Sequence, residues 1–231
     1  MTPVINDSKS VRYDWGMSTT IDVYPTTDYL PLVEETRSRT QELYQQLLDR
    51  YGIRSTVEVK AFHPRKPDEE LRYVDPATRW KVEMDLGFAY LINGEWRASS
   101  WPSLWERTRI DQPWIDDYVK SEGKEGYPPS MLGECFPIDA DEFEVPLSDE
   151  DIKLLNAQPH WWHDIRNFAG PAVASTGYGF VAAALAEETH GRLASFDCAF
   201  ADDGHNGETA KQFLAWWGDE QMAFYGKEPF Q

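Results

Sequence analysis

The chain has 231 residues, 41% of them hydrophobic and 14% aromatic, with a formal net charge of −18. That apolar content can offset the entropy of ordering a sizeable core, which excludes disorder over the whole chain. The negative sign excludes a direct reader of DNA or RNA, which needs a basic face to displace counterions from phosphates, and it argues equally against an anionic membrane surface.

No stretch approaches the roughly 18 apolar residues of a membrane span, and the polar start lacks the apolar core of a signal peptide. Cys135 and Cys198 are the only cysteines, too few for a disulfide framework. A cytoplasmic location is the expectation. Met17-Ser18-Thr19-Thr20 reads like an ordinary protein start, so residues 1–17 are expected to form a flexible N-terminal extension, with one domain over 18–231.

Residues 18 to 24 alternate and are rich in Thr, Ile and Val, which predicts a strand. Pro25 and Pro31 then lead to a helix from about Leu32 to Tyr51, where Leu32, Val33, Thr36, Thr40, Leu43, Tyr44, Leu47, Leu48 and Tyr51 recur at helical spacing and Gly52 supplies the stop. Thr56 to Phe62 sets Val57, Val59 and Ala61 against Glu58 and Lys60, a half-buried strand. Asn93-Gly94 favours a type I′ turn, because both residues tolerate positive φ, and predicts a hairpin of Lys81–Ile92 with Glu95–Ser100.

Trp101, Trp105 and Trp114 read as core or lid aromatics, with a short helix near Trp114 to Lys120. From about 121 to 148 the glycines and prolines predict a long irregular acidic loop. Ser148 is a good N-cap for a helix over Asp149 to Ala157, and Pro171 can start a longer one that stops at Gly191. Arg192 to Cys198 reads as a strand, Asp202 to Gly207 as a loop, and Glu208 to Trp217 as a helix. Helices and strands mix without a βαβ rhythm, so the expected fold is α+β, mostly an antiparallel sheet with helices packed on one side.

The charge is unevenly placed. Residues 131–231 hold eighteen acids against five bases, which puts −13 of the −18 there. Glu134, Asp139, Asp141, Glu142, Glu144, Asp149, Glu150 and Asp151 occur with no Lys or Arg among them. Such a run must be solvated or neutralised by a partner. Phe136 and Phe143 interleave with the acids, a composition shared with binding surfaces. Candidate partner-binding residues are therefore Glu134, Phe136, Asp139, Asp141, Glu142, Phe143 and Glu144, and a basic partner would be steered toward them.

Catalytic patterns are weaker. His160-Trp161-Trp162-His163-Asp164 would place His160 and His163 on one helical face, where they could share a metal with Asp164, but neither an HExxH signature nor a third spaced ligand accompanies them. Asp202-Asp203-Gly204-His205-Asn206-Gly207 lacks the register and the distal Glu of a calcium loop. Thr176-Gly177-Tyr178-Gly179 lacks the Lys and the preceding strand of a phosphate cradle. Ser195 or Cys198 with His190 and Asp197 has no nucleophile elbow. The residues point to a binding protein with no cofactor rather than an enzyme. A metal-dependent hydrolase using His160, His163 and Asp164 is the alternative, and a phage or mobile-element accessory protein a third reading.

The last sixty residues, with the small-residue helix Ala182 to Gly191, the short strand Arg192 to Asp197, a polar loop and Thr209 to Trp217, resemble in layout the immunity proteins of bacterial polymorphic and contact-dependent toxin systems. The resemblance implies a small cytosolic inhibitor without catalytic machinery that occludes the active site of a cognate, often basic, toxin domain. These families diverge rapidly, so it assigns no binding residue.

Overall fold

A computed structural model describes residues 18–63, 70–81, 84–96, 103–109, 143–158, 160–167, 171–195, 199–200 and 203–231. The expected N-terminal extension, the helix near Trp114 to Lys120, the loop up to residue 142, and both cysteines lie outside the described residues.

The strands are β1 (Ser18–Tyr24), β2 (Val57–His63), β3 (Arg72–Tyr73), β4 (Asp85–Ile92), β5 (Glu95–Trp96), β6 (Ser103–Arg109), β7 (His160–Asn167), β8 (Arg192–Ala194) and β9 (Glu208–Thr209). The helices are α1 (Val33–Arg50), α2 (Asp149–Asn156), α3 (Ala172–Thr189), α4 (Ala210–Leu214) and α5 (Trp217–Tyr225). The strands form a nine-stranded sheet in the order β3-β2-β4-β6-β7-β1-β8-β9, with β5 hairpinned onto β4. Every pairing is antiparallel, as the α+β reading expected. No described helix is long and apolar enough to cross a membrane.

Local chemistry explains several boundaries. Asn93 and Gly94 have φ of 53° and 79°, the left-handed pair that a type I′ turn requires. The helix α3 ends at His190 with φ 52°; Gly191 serves another purpose, since a Cβ there would lie 2.6 Å from the Tyr24 carbonyl oxygen. Its lack of a side chain lets the end of α3 lie directly on β1.

Alternation along the strands sorts side chains onto two faces. On the first, Ile21, Val23, Val57, Val59, Leu86, Phe88, Tyr90, Ile92, Trp162 and Leu193 join one core with α1, α3, α4 and α5. The helix α3 is buried from Ala172 to Ala186 because it runs beneath both the sheet and the other helices. Its small residues make this feasible: a Cβ on Gly177 would overlap the Tyr90 ring, and one on Gly179 the Trp217 indole. Trp217 Nε1 also donates to the Thr176 carbonyl at 3.0 Å, so the indole is both packed and tethered.

The second face carries Tyr24, Trp161 and Ala194, and the short helix α2 covers it. Among the described residues four helices thus share one side of the sheet, while the acidic helix lies on the other.

Two segments differ from their sequence readings. His160 to Asp164 belongs to strand β7 and not to a helix. Adjacent Trp161 and Trp162 are both buried, in different clusters, which is the pattern of a strand covered on both faces. The expected helix over Glu208–Trp217 is divided into β9, α4 and the start of α5. Thr209 ends the strand and caps the helix, with its side chain accepting from Gln212 N and Gln212 accepting in return from Thr209 N at 2.9 Å.

Candidate functional site

The acidic segment from Phe143 through α2 has an apolar underside and a charged outside. Phe143 is only 6% exposed. It meets Tyr24 edge-on at 6.0 Å, while Tyr24 stacks on Trp161 at 6.2 Å, and Leu147, Ile152 and Leu155 extend the same cluster. Phe143 was expected on a partner-contacting surface; it is instead the anchor that fixes the segment to the sheet. Gly207 lies beneath it, where a Cβ would come within 3.0 Å of the Phe143 Cβ.

Backbone bonds complete the attachment. Val145 N donates to Asn206 O (3.0 Å), and Gly207 N donates to Leu193 O (2.8 Å). The buried Asn206 side chain accepts from Ser195 N at 2.8 Å. Asn206 thus joins β8, the loop before β9 and the acidic segment. Buried backbone groups need such partners, and here one residue serves three elements.

Asp151 is structural as well. Ser148 and Asp151 form a capping box, and Asp151 Oδ1 accepts from Arg192 Nη2 at 2.6 Å. The Ser148 hydroxyl bond, with help from the Ser148 amide and the Arg192 charge, holds the Asp151 carboxyl below its ordinary range against the opposing effect of burial. What remains on the outside is Glu144, Asp149 and Glu150, all exposed, together with Leu154 at 38% exposure. Glu150 lies 3.9 Å from Lys153 in a pair open to water, which counts for little. Glu134, Phe136, Asp139, Asp141 and Glu142 lie outside the described residues.

Beside this cluster, on the same face, Asp22 is buried between two donors. Trp161 Nε1 donates to its Oδ1 at 3.1 Å, and His163 Nδ1 lies 2.7 Å from the same oxygen. β1 and β7 place Asp22 directly opposite His163. The pairing joins residues 141 positions apart, and sequence spacing could not have indicated it. The metal reading requires a helical turn over His160 to Asp164, and that stretch lies instead in strand β7. Among the described residues no group of three or more His, Cys, Asp or Glu side chains is arranged to hold a metal ion.

A third polar cluster was also missed. Glu208, 8% exposed, lies 2.8 Å from His205 Nδ1 and accepts from Trp216 Nε1 at 2.7 Å. His205 stacks on Trp216 with ring centroids 4.0 Å apart. The signal was the His205 to Glu208 spacing inside what reads only as a polar turn. The cluster ties the turn Asp203–His205 to the end of α4.

The remaining candidates resolve into structure. Ser195 is buried, and its Oγ accepts from Ala199 N at 2.7 Å. His190 is the exposed residue that ends α3. Asp197 and Cys198 lie outside the described residues. Thr176 to Gly179 is the middle of α3, where the glycines serve close packing. Comparison with known proteins found no matching family model, no matching curated protein and no matching solved structure.

Proposed function

We propose that the chain is an acidic inhibitory binding protein, in the manner of an immunity protein, that neutralises a basic partner such as a toxin domain by covering its active site. The observation that carries this reading is the two-sided construction of the acidic segment. Phe143, Leu147, Ile152 and Leu155 hold it to the sheet, while Glu144, Asp149 and Glu150 remain in solvent.

Carboxylates on a fixed scaffold bind a cation without first ordering a loop, which removes part of the entropic cost of association. They also speed encounter with a positively charged surface, in a salt-dependent manner. Leu154, exposed among them, would supply the apolar contact that charge alone lacks.

The test is binding to the product of the immediately upstream gene, compared between the wild-type chain and a variant with Glu144→Gln, Asp149→Asn and Glu150→Gln. The expected result is slower association and a shallower salt dependence in the variant, with its thermal stability nearly unchanged. Identical kinetics and salt slopes for the two proteins would remove the acidic segment from the interface. Adding Asp139→Asn, Asp141→Asn and Glu142→Gln extends the same test along the run.

A further inference from the structure

The outer edge of β2 is covered in two different ways. Toward its end, the two-residue β3 pairs with Phe62 and His63, and Val74 N donates to Ala61 O at 3.0 Å. Earlier in the strand the helix α1 supplies side chains in place of a neighbouring backbone. Gln41 Oε1 accepts from Val59 N (3.0 Å), and Arg37 Nη1 donates to Val59 O (3.0 Å). Gln45 Oε1 accepts from Val57 N (3.0 Å), and Gln45 Nε2 donates to Ser55 O (3.1 Å). These are bonds that a further strand would otherwise make.

The match has a geometric cause. Helix residues four apart advance about 6.0 Å, and strand residues two apart advance about 6.7 Å. Gln41 and Gln45 therefore step along α1 nearly in register with Val59 and Val57, and flexible side chains absorb a drift of about 0.7 Å per step. Arg37 is itself fixed, since Nε and Nη2 hold Glu34 and Nη1 also reaches Gln41.

An uncovered strand edge is a template for pairing with another chain, and this one suits a second copy of itself. In a two-fold antiparallel pairing centred on Val59, Glu58 of one copy faces Lys60 of the other, and the reverse, so both cross-strand pairs are of opposite charge. A groove of about 450 Å³, lined in part by Arg37, Gln41, Val59, Ala61 and Tyr73, runs along the same edge. We infer that Arg37, Gln41 and Gln45 act as a guard that stops two copies of this chain from joining their sheets through β2.

The test uses the full chain with Gln41→Ala and Gln45→Ala together. At dilute concentration, hydrogen exchange at the Val57 and Val59 amides is expected to accelerate about tenfold or more, while Glu58 and Lys60, whose amides face β4, keep their protection. As concentration rises, sedimentation should show a dimer, and adding Lys60→Glu should weaken it by placing Glu opposite Glu58. Gln41→Glu retains the acceptor and should leave Val59 protected. Gln45→Ala alone should expose Val57 and spare Val59, which keeps the inference testable if the double variant folds poorly. Unchanged exchange at Val57 and Val59, or faster exchange with no association at any concentration, would overturn it.

Discussion

Glu188, near the end of α3, offers a direct test of how burial and charge act in this fold. Its carboxylate accepts from the Thr36 hydroxyl at 3.0 Å, and Trp80 Nε1 donates to that hydroxyl at 3.2 Å. Burial raises its pKa from 4.5 to about 8, with Glu35 and Glu187 adding to the rise and the Thr36 bond opposing it. Glu187, one residue earlier, is paired in bidentate fashion with Arg39 at 2.5 and 2.9 Å. Because the folded value is above the unfolded one, the unfolded chain releases this proton first as pH rises. Stability is therefore lost between pH 4.5 and about 8 and is level beyond. At about 1.36 kcal/mol per unit the ceiling is about 5 kcal/mol, and water at the rim of the helix end reduces the expected loss to about 2 kcal/mol. Glu188→Gln keeps an acceptor for Thr36 and cannot ionise. Urea or thermal unfolding at pH 5, 7 and 9 should show the variant close to wild type at pH 5 and about 2 kcal/mol more stable at pH 9, a shift of roughly 4 to 8 °C. Parallel pH profiles for the two proteins would refute the reasoning.

Other substitutions probe separate contacts. Gly179→Ala forces a methyl into the Trp217 indole and should cost about 1–3 kcal/mol, read from the urea midpoint at constant slope. Phe143→Ala removes the anchor of the acidic segment and should cost about 3 kcal/mol, with proteolysis near residue 144 as the local readout. Asn206→Ala leaves the buried Ser195 amide without the acceptor that Asn206 supplies, a loss of about 1–3 kcal/mol in unfolding free energy. Ser148→Ala should cost about 1 kcal/mol and speed exchange at the Asp151 amide. With its pKa lowered, Asp151 contributes stability above its unfolded value of 3.8 and loses it as pH falls, so Asp151→Asn should flatten the acid limb of the stability curve.

How far the sequence could be read follows from the range of each interaction. The helix α1 was legible because Leu43, Tyr44, Leu47 and Leu48 repeat on one face, and Ser148 marked the start of α2 because a cap acts over three residues. The same local reasoning misplaced His160 to Asp164: two histidines three apart suggest a helix, while two adjacent buried tryptophans mark a strand with both faces covered. The helix α5 lies beyond the expected helix, which ended at Trp217, and it contains Gly218. A Cβ there would come 2.8 Å from Leu47 Cδ1, so the residue serves tertiary contact. Asp22 with His163 depends on strand register across most of the chain. Gln41 and Gln45 look like an ordinary wet helix face until the edge of β2 is laid beside them.

The place of β1 bears on how the chain matures. The first described strand lies inside the sheet, paired with β7 on one side and β8 on the other, so that Ser18 faces Asn167 and Asp22 faces Ala194. A ribosome adding about 5–20 residues each second must make well over a hundred residues after β1 before its partners exist. In that interval β1 has neither of its native neighbours. Folding that closes such distant pairings is slow, in the millisecond-to-second range, and β1 keeps both edges unpaired until β7 and β8 have been made.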